Sequence, residues 1–224
     1  MLEKYIQYCR VWLPQATDAA ARDVELKDRI PRRSARRMSQ LGKVAYWLLD
    51  PFPPSEADAL IYGSTYAENR ALEKYIAGLP DAASPTLFQT SIHPSAVQQA
   101  LIARSQPLRS LMPMPGAAEG LFEKLCYAAL HRPEGRTYVL LAEEAGEGLV
   151  EYGLASDTTW GIVACLSRDP AEASLGSVRW SAENTDTVFA DGLNWAEWLD
   201  DRKGSRCGTL PGGGQIQWRW RDEG

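Results

Sequence analysis

Two nearly unbroken apolar runs, TYVLLA at residues 137–142 and WGIVACL at residues 160–166, constrain this chain more than any other feature. A strand with one wet face alternates apolar and polar residues, so a continuous run of this length marks a strand covered on both faces. A sheet covered on both faces needs a helical layer on each side. Helix-period segments supply candidates: residues 38–49 (Met38, Leu41, Val44, Ala45, Trp47, Leu48), 66–79 (Leu72, Tyr75, Ile76, Leu79), 94–104 and 117–131 (Leu121, Leu125, Cys126, Ala129). Further short strands are expected at 59–62, 108–114, 177–180 and 215–221. Strands alternating with helices in this way specify an α/β layered domain.

At 224 residues the chain is long enough for a substantial core. The formal charge of −5 argues against a nucleic-acid partner, which wants a basic footprint. No run approaches the ~18 apolar residues of a membrane span. The first residues, MLEKYIQYCRVWLP, carry charges and a proline where a secretory signal needs an apolar stretch, so they read as mature sequence. The four cysteines (Cys9, Cys126, Cys165, Cys207) are scattered, as expected of reduced thiols in a cytoplasmic protein without a zinc or redox motif. No metal or other cofactor is expected. GTLPGGG near the C-terminus reads as a turn, because no GK[ST] follows it. Residues 1–30 carry an aromatic cluster (Tyr5, Tyr8, Trp12) and then a polar, Ala-rich stretch, helical or loose.

Four segments fall in an order and spacing that resembles the N-terminal half of the β-ketoacyl synthases, a thiolase-like family. RRSARRMSQLGKVAYWLL is similar to the helix that opens the synthase core. SPTLFQTSIHPS is similar to the loop that walls a partner's acyl pocket at the dimer interface. TYVLLAEE and WGIVACLS are similar to the last two strands of that half. The resemblance covers about residues 32–167. It implies three regions: an N-terminal segment at 1–30, a ketosynthase-like α/β domain at 31–167 lacking the family's C-terminal half, and a Trp/Gly-rich extension at 168–224. The subgroup it resembles is the short, chain-length-factor-like proteins of bacterial aryl polyene pathways.

The family's nucleophile elbow reads roughly T-A-C-x-S-G-L. Aligned on Gly120 and Leu121, the position of its cysteine is Ala117, and a methyl group cannot hold an acyl chain. Claisen condensation also needs a low-pKa thiolate and polar groups to stabilise an enolate. This chain has two histidines, His93 and His131, and none beyond them. Cys126 sits at a core-type helical spacing, and Glu119 reads as a cap for the helix that follows. The resemblance therefore implies an inactive subunit that pairs with a Cys-bearing, full-length β-ketoacyl synthase. Its dimer and acyl-tunnel residues are Thr86, Leu87, Phe88, Thr90, Ile92 and His93, with Leu108, Ser110, Leu111, Met112 and Met114 on the strand that meets the partner.

Arg29, Arg32, Arg33, Arg36 and Arg37 place five cations in nine residues. They read either as a solvated helix start or, for Arg32, Arg33, Arg36 and Arg37, as a dock for an acidic acyl carrier protein. The C-terminal tryptophans (Trp180, Trp195, Trp198, Trp218, Trp220) either cover the sheet face that the missing half would cover or pack on a partner. Two other functions stay open: a carrier-binding scaffold without influence on chain length, and a small independent acyltransferase. The latter lacks a GxSxG elbow and must recruit His93 or His131.

Overall fold

A computed structural model describes residues 2–13, 24–26, 28–79, 81, 83–133, 135–170, 174–183 and 190–221. The elements are β1 (Leu2–Trp12), α1 (Arg32–Ala35), α2 (Gln40–Leu49), β2 (Ala59–Ser64), α3 (Asn69–Gly78), α4 (Pro85–Ser91), α5 (Ser95–Ala103) and β3 (Ser110–Pro115). There follow α6 (Leu121–His131), β4 (Thr137–Glu143), β5 (Trp160–Ser167), β6 (Gly176–Ser181), α7 (Gly192–Asp201), β7 (Ser205–Thr209) and β8 (Gln215–Trp220). The described strands form one mixed sheet in the order β3-β2-β4-β5-β1-β6-β8-β7. β2 pairs in parallel with β3 and β4, and the remaining pairings are antiparallel.

The apolar runs are continuous because each face of the sheet carries its own core. Ile61, Val139, Leu141, Ile162 and Ala164 point to one side, under α6 and α7. Leu60, Tyr62, Tyr138, Leu140, Val163 and Cys165 point to the other, under α2 and α5. Successive side chains of a strand leave on opposite faces, so a strand buried on both must be apolar throughout.

Three local expectations are corrected. The first 30 residues are not merely an aromatic cluster followed by a helical or loose stretch: Leu2–Trp12 is a strand in the body of the sheet, between β5 and β6. Its alternation is hidden by a register shift between Ile6 and Tyr8, so the buried positions run Lys4, Ile6, then Cys9 and Trp12. A charged residue also occupies a buried position, since Lys4 Nζ donates to Thr137 Oγ1 at 3.2 Å. Burial lowers its pKa to about 8. The Ala-rich stretch, at 14–23, lies outside the described residues.

The Arg-rich segment opens two helices rather than one. α1 ends at Ala35, and Ser39 starts α2 afresh, its side chain accepting from Gly42 N at 3.0 Å. SPTLFQTS forms a helix rather than a loop: Ser84 is its N-cap, accepting from Leu87 N at 3.3 Å, and Pro85 lies in the first turn.

The Trp-rich C-terminal strands extend the same sheet through β1. α7 lies beside α6 on one face, started by Asp191, whose side chain accepts from Asn194 N at 2.8 Å. Trp195 and Trp218 are fully buried and flank Phe122 of α6, with ring centroids 5.1 and 5.7 Å away. These tryptophans cover the sheet face from within the chain. The approach is close enough to require glycine at 208, where a Cβ would stand 2.2 Å from Glu123 Oε1.

Candidate functional site

The turn before α6 is the place where the resemblance expects a nucleophile. Gly120 is its pivot, with φ 69°, a left-handed value that favours glycine. A Cβ there would also meet Pro211 Cδ at 3.1 Å. Ala117 is exposed on this turn. Glu119 does not cap α6: it is exposed, and the helix start has no side-chain cap. The acidic group in the first turn is Glu123, buried and accepting from Trp195 Nε1 at 2.9 Å.

Beside the turn opens a pocket of about 320 Å³, lined by Ala118, Leu121, Trp160, Leu193, Glu143 and Thr65 among others. Among its described lining residues there is no thiol and no imidazole. Glu143 is its buried polar group. It accepts from Ser64 Oγ at 2.8 Å, from Tyr66 N at 3.2 Å and from Thr65 N. Burial pushes its pKa up to about 7, against the pull of those hydrogen bonds. With its oxygens engaged by the 64–66 turn, Glu143 fixes the end of β2.

Two neighbouring carboxylates have structural duties as well. Glu144 accepts from Leu41 N at 3.2 Å and from Arg70 N at 2.9 Å, joining the N-termini of α2 and α3. Glu68 accepts from Ala96 N at 2.6 Å at the start of α5. Unsatisfied amides and the positive end of the helix dipole make helix starts good sites for a buried anion. Burial nevertheless pushes Glu68 up to about 7 and raises Glu144. The sequence hint, missed from spacing alone, was a pair of acids directly after an apolar strand run, in TYVLLAEE.

The remaining candidate nucleophile and bases lie outside the described lining of that pocket. Cys126 is fully buried, and burial pushes its thiol well above the usual range. His93 stacks on Tyr62 at 4.6 Å, with both ring nitrogens buried and without a described partner. Burial lowers its pKa. His131 lies at the end of α6 with Nδ1 2.9 Å from Tyr127 O.

The sequence-derived interface residues occupy two places. In the first, Phe88 and Ile92 are about half exposed, with Ile76, Leu79 and Ile102 also exposed on nearby α3 and α5. Tyr75 of α3 lies against Phe88, with ring centroids 5.5 Å apart. Single exposed apolar residues are ordinary on a protein surface. The second place is β3, which lies at the end of the sheet. There Met112 and Met114 pack towards α6, Leu108 and Leu111 towards the opposite core, and Ser110 Oγ accepts from Arg132.

Thr86, Leu87 and Thr90 face a different feature. Together with Arg36 and Arg37 they line a cleft of about 780 Å³, to which Lys43, Arg70 and Lys74 add cations that linear spacing did not reveal. Arg32 and Arg33 are exposed on α1, outside that cleft. Among the described residues no group of three or more His, Cys, Asp or Glu is arranged to hold a metal ion. No helix among them is long and apolar enough to cross a membrane.

No family model matches the sequence, and no curated protein matches it. Solved structures do match the fold. One chain of a ketosynthase in complex with its chain length factor, from Xenorhabdus doucetiae, superposes with a TM-score of 0.71 at 16% identity. The match covers 98% of this chain and 100% of that one. A β-ketoacyl synthase from Burkholderia phymatum STM815 gives a TM-score of 0.54 at 11% identity, over 79% of this chain and 53% of that one. This chain therefore spans about half the length of that synthase. The fold is the mixed α/β, thiolase-like fold of the ketosynthases.

Proposed function

We propose that the chain is a non-catalytic, chain-length-factor-like partner of a Cys-bearing ketosynthase. The observation that carries this reading is the end-to-end match to one chain of a ketosynthase–chain-length-factor complex, set against coverage of only about half of a β-ketoacyl synthase. Two features support it. The pocket beside the Ala117 turn offers neither thiol nor imidazole among its described lining residues. Phe88, Ile92, Ile76 and Ile102 are about half exposed or more on α3, α4, α5 and the turn after α4. In this reading the face around Phe88 and Ile92 closes the far end of the partner's acyl tunnel, and β3 meets the partner's strand.

The test is co-expression with a full-length, Cys-bearing ketosynthase from the same source, followed by light-scattering mass on a sizing column. A stable one-to-one complex is expected, weakened at least tenfold by Phe88→Glu combined with Ile92→Glu, two exposed positions where folding is little affected. A chain that ignores the ketosynthase would end this reading.

The basic cleft favours a second role, docking of an acidic acyl carrier protein. Five cations converge there in a chain whose net charge is negative. Replacing Arg36 and Arg37 by Glu is expected to weaken carrier binding about tenfold and to flatten its dependence on salt. Fluorescence anisotropy of labelled carrier across a salt series checks this, and unchanged affinity would remove the cleft from carrier binding.

A further inference from the structure

The hydrogen-bonding groups on the outer edge of β3 are lopsided. Ala59 N donates to Arg136 O at 3.1 Å, so residue 59 turns its backbone towards β4. Alternate residues of a strand turn to alternate sides, so Leu60, Tyr62 and Ser64 turn theirs towards β3. The parallel register pairs Leu60 with Leu111, Tyr62 with Pro113 and Ser64 with Pro115. In a parallel ladder a residue bonds to the neighbours of its partner, so Ser110, Met112 and Met114 face inward to β2. Leu111, Pro113 and Pro115 face outward. Both prolines thus sit where no ladder bond to β2 is lost, as proline in a sheet must.

The outward edge consequently offers three carbonyls, from Leu111, Pro113 and Pro115, but a single amide, that of Leu111. The preceding residue of the same parity does not restore the balance, because Arg109 N donates to Asp58 O at 2.9 Å. Antiparallel pairing across a two-fold axis exchanges two bonds at each facing pair, one from each strand. If two copies of this chain met along β3, every bond donated by a proline would be missing from both copies. Against a strand with a full set of amides, such bonds would be missing from one side only.

We infer that Pro113 and Pro115 act as a selectivity filter on this edge: they disfavour self-pairing and leave an acceptor-rich strand suited to a non-identical, proline-free strand. This rests on the proposed pairing through β3 and deepens it by stating why the pair is mixed rather than symmetric. Charge and proline on an edge are known means of blocking indiscriminate pairing. Here both prolines lie on the outward parity, and Leu111 retains a donor between the pairing strand's ends.

The experiment measures self-association of the chain alone, by light scattering over a hundredfold concentration range, for wild type, Pro113→Val, Pro115→Val and the double variant. The wild type is expected to stay monomeric. The double variant is expected to dimerise at least tenfold more tightly, each single variant falling between. Circular dichroism reports whether each variant is folded; if the double variant is not, the two single variants carry the comparison. Leu111→Pro, which removes the remaining outward amide without touching the β2 ladder, is expected to weaken ketosynthase binding and leave the chain monomeric. Folded valine variants as monomeric as wild type would overturn the filter, even with ketosynthase binding intact. Loss of ketosynthase binding by the wild type, with the valine variants still dimerising, would overturn the partner reading instead.

Discussion

Replacing Trp195 by Ala is expected to cost about 5 kcal/mol, roughly a third or more of the stability of a domain of this size. Deleting a buried Trp or Phe costs about 3–5 kcal/mol through lost contacts and the cavity left behind. Trp195 is fully buried against Phe122 and edge-on to Trp198, with centroids 5.1 and 5.7 Å away. Its indole also donates to Glu123 Oε1 at 2.9 Å, and Glu123 Oε2 has no described partner. Removing the indole strands a buried carboxyl, which adds roughly 1–3 kcal/mol. A domain of this kind has a total stability of about 5–15 kcal/mol. Trp195→Phe keeps the ring packing and loses only the donor, so about 1–3 kcal/mol is expected. Urea titrations of both variants check the ranking; a Trp195→Ala protein within 1 kcal/mol of wild type would show that the C-terminal layer contributes little to the core.

Stability should also depend on pH through the buried acids at the helix starts. Glu68 is fully buried and its pKa is pushed up to about 7 in the folded protein, from an ordinary 4.5. Between these values the folded state binds more protons than the unfolded one, so stability falls as pH rises. The contribution is fully present below about 4.5 and is lost as pH passes through 7. At ~1.36 kcal/mol per pKa unit the loss is on the order of 3 kcal/mol for Glu68. Glu143, also pushed up to about 7, acts in the same direction, whereas His93, with its lowered pKa, acts oppositely as pH falls below 6.5. Comparison with Glu68→Gln isolates the one group, because the amide oxygen still accepts from Ala96 N. The wild-type stability minus that of the variant is expected to drop between pH 4.5 and 7. A flat difference would mean that Glu68 is ionised throughout, held by the N-terminus of α5.

Much of the layered architecture was legible in linear order. TYVLLA and WGIVACL are buried strands, and the periodic segments around Leu41–Leu48, Leu121–Ala129 and 94–104 are helices on the two faces. Short caps were weaker signals. Ser84-Pro85 starts α4, and Asp191 with Asn194 starts α7, yet neither follows a long apolar period. β1 escaped because a bulge shifts its buried parity and because Lys4 lies on its inward side.

Candidate site residues divide along the same line. The family resemblance singled out Ala117, Phe88 and Ile92, and the run of charge singled out Arg36 and Arg37. The sequence did not reveal that Lys43, Arg70 and Lys74 join those arginines around one cleft, because α2 and α3 meet there only in the folded chain, their starts joined through Glu144. Nor did it reveal that Glu68 and Glu144 are helix anchors, since an acid's role depends on which amides it meets.

The amino-acid sequence by itself determined the class of fold, the two-sided burial of β4 and β5, and the absence of a thiol at position 117, because these depend on residue type and local period. Tertiary structure alone decided that the Trp-rich segment continues the sheet through β1, that His93 turns inward onto Tyr62, and that Pro113 and Pro115 face outward from β3. Each depends on register or on contacts between residues far apart in the chain, and local periodicity carries no record of which strand lies beside which.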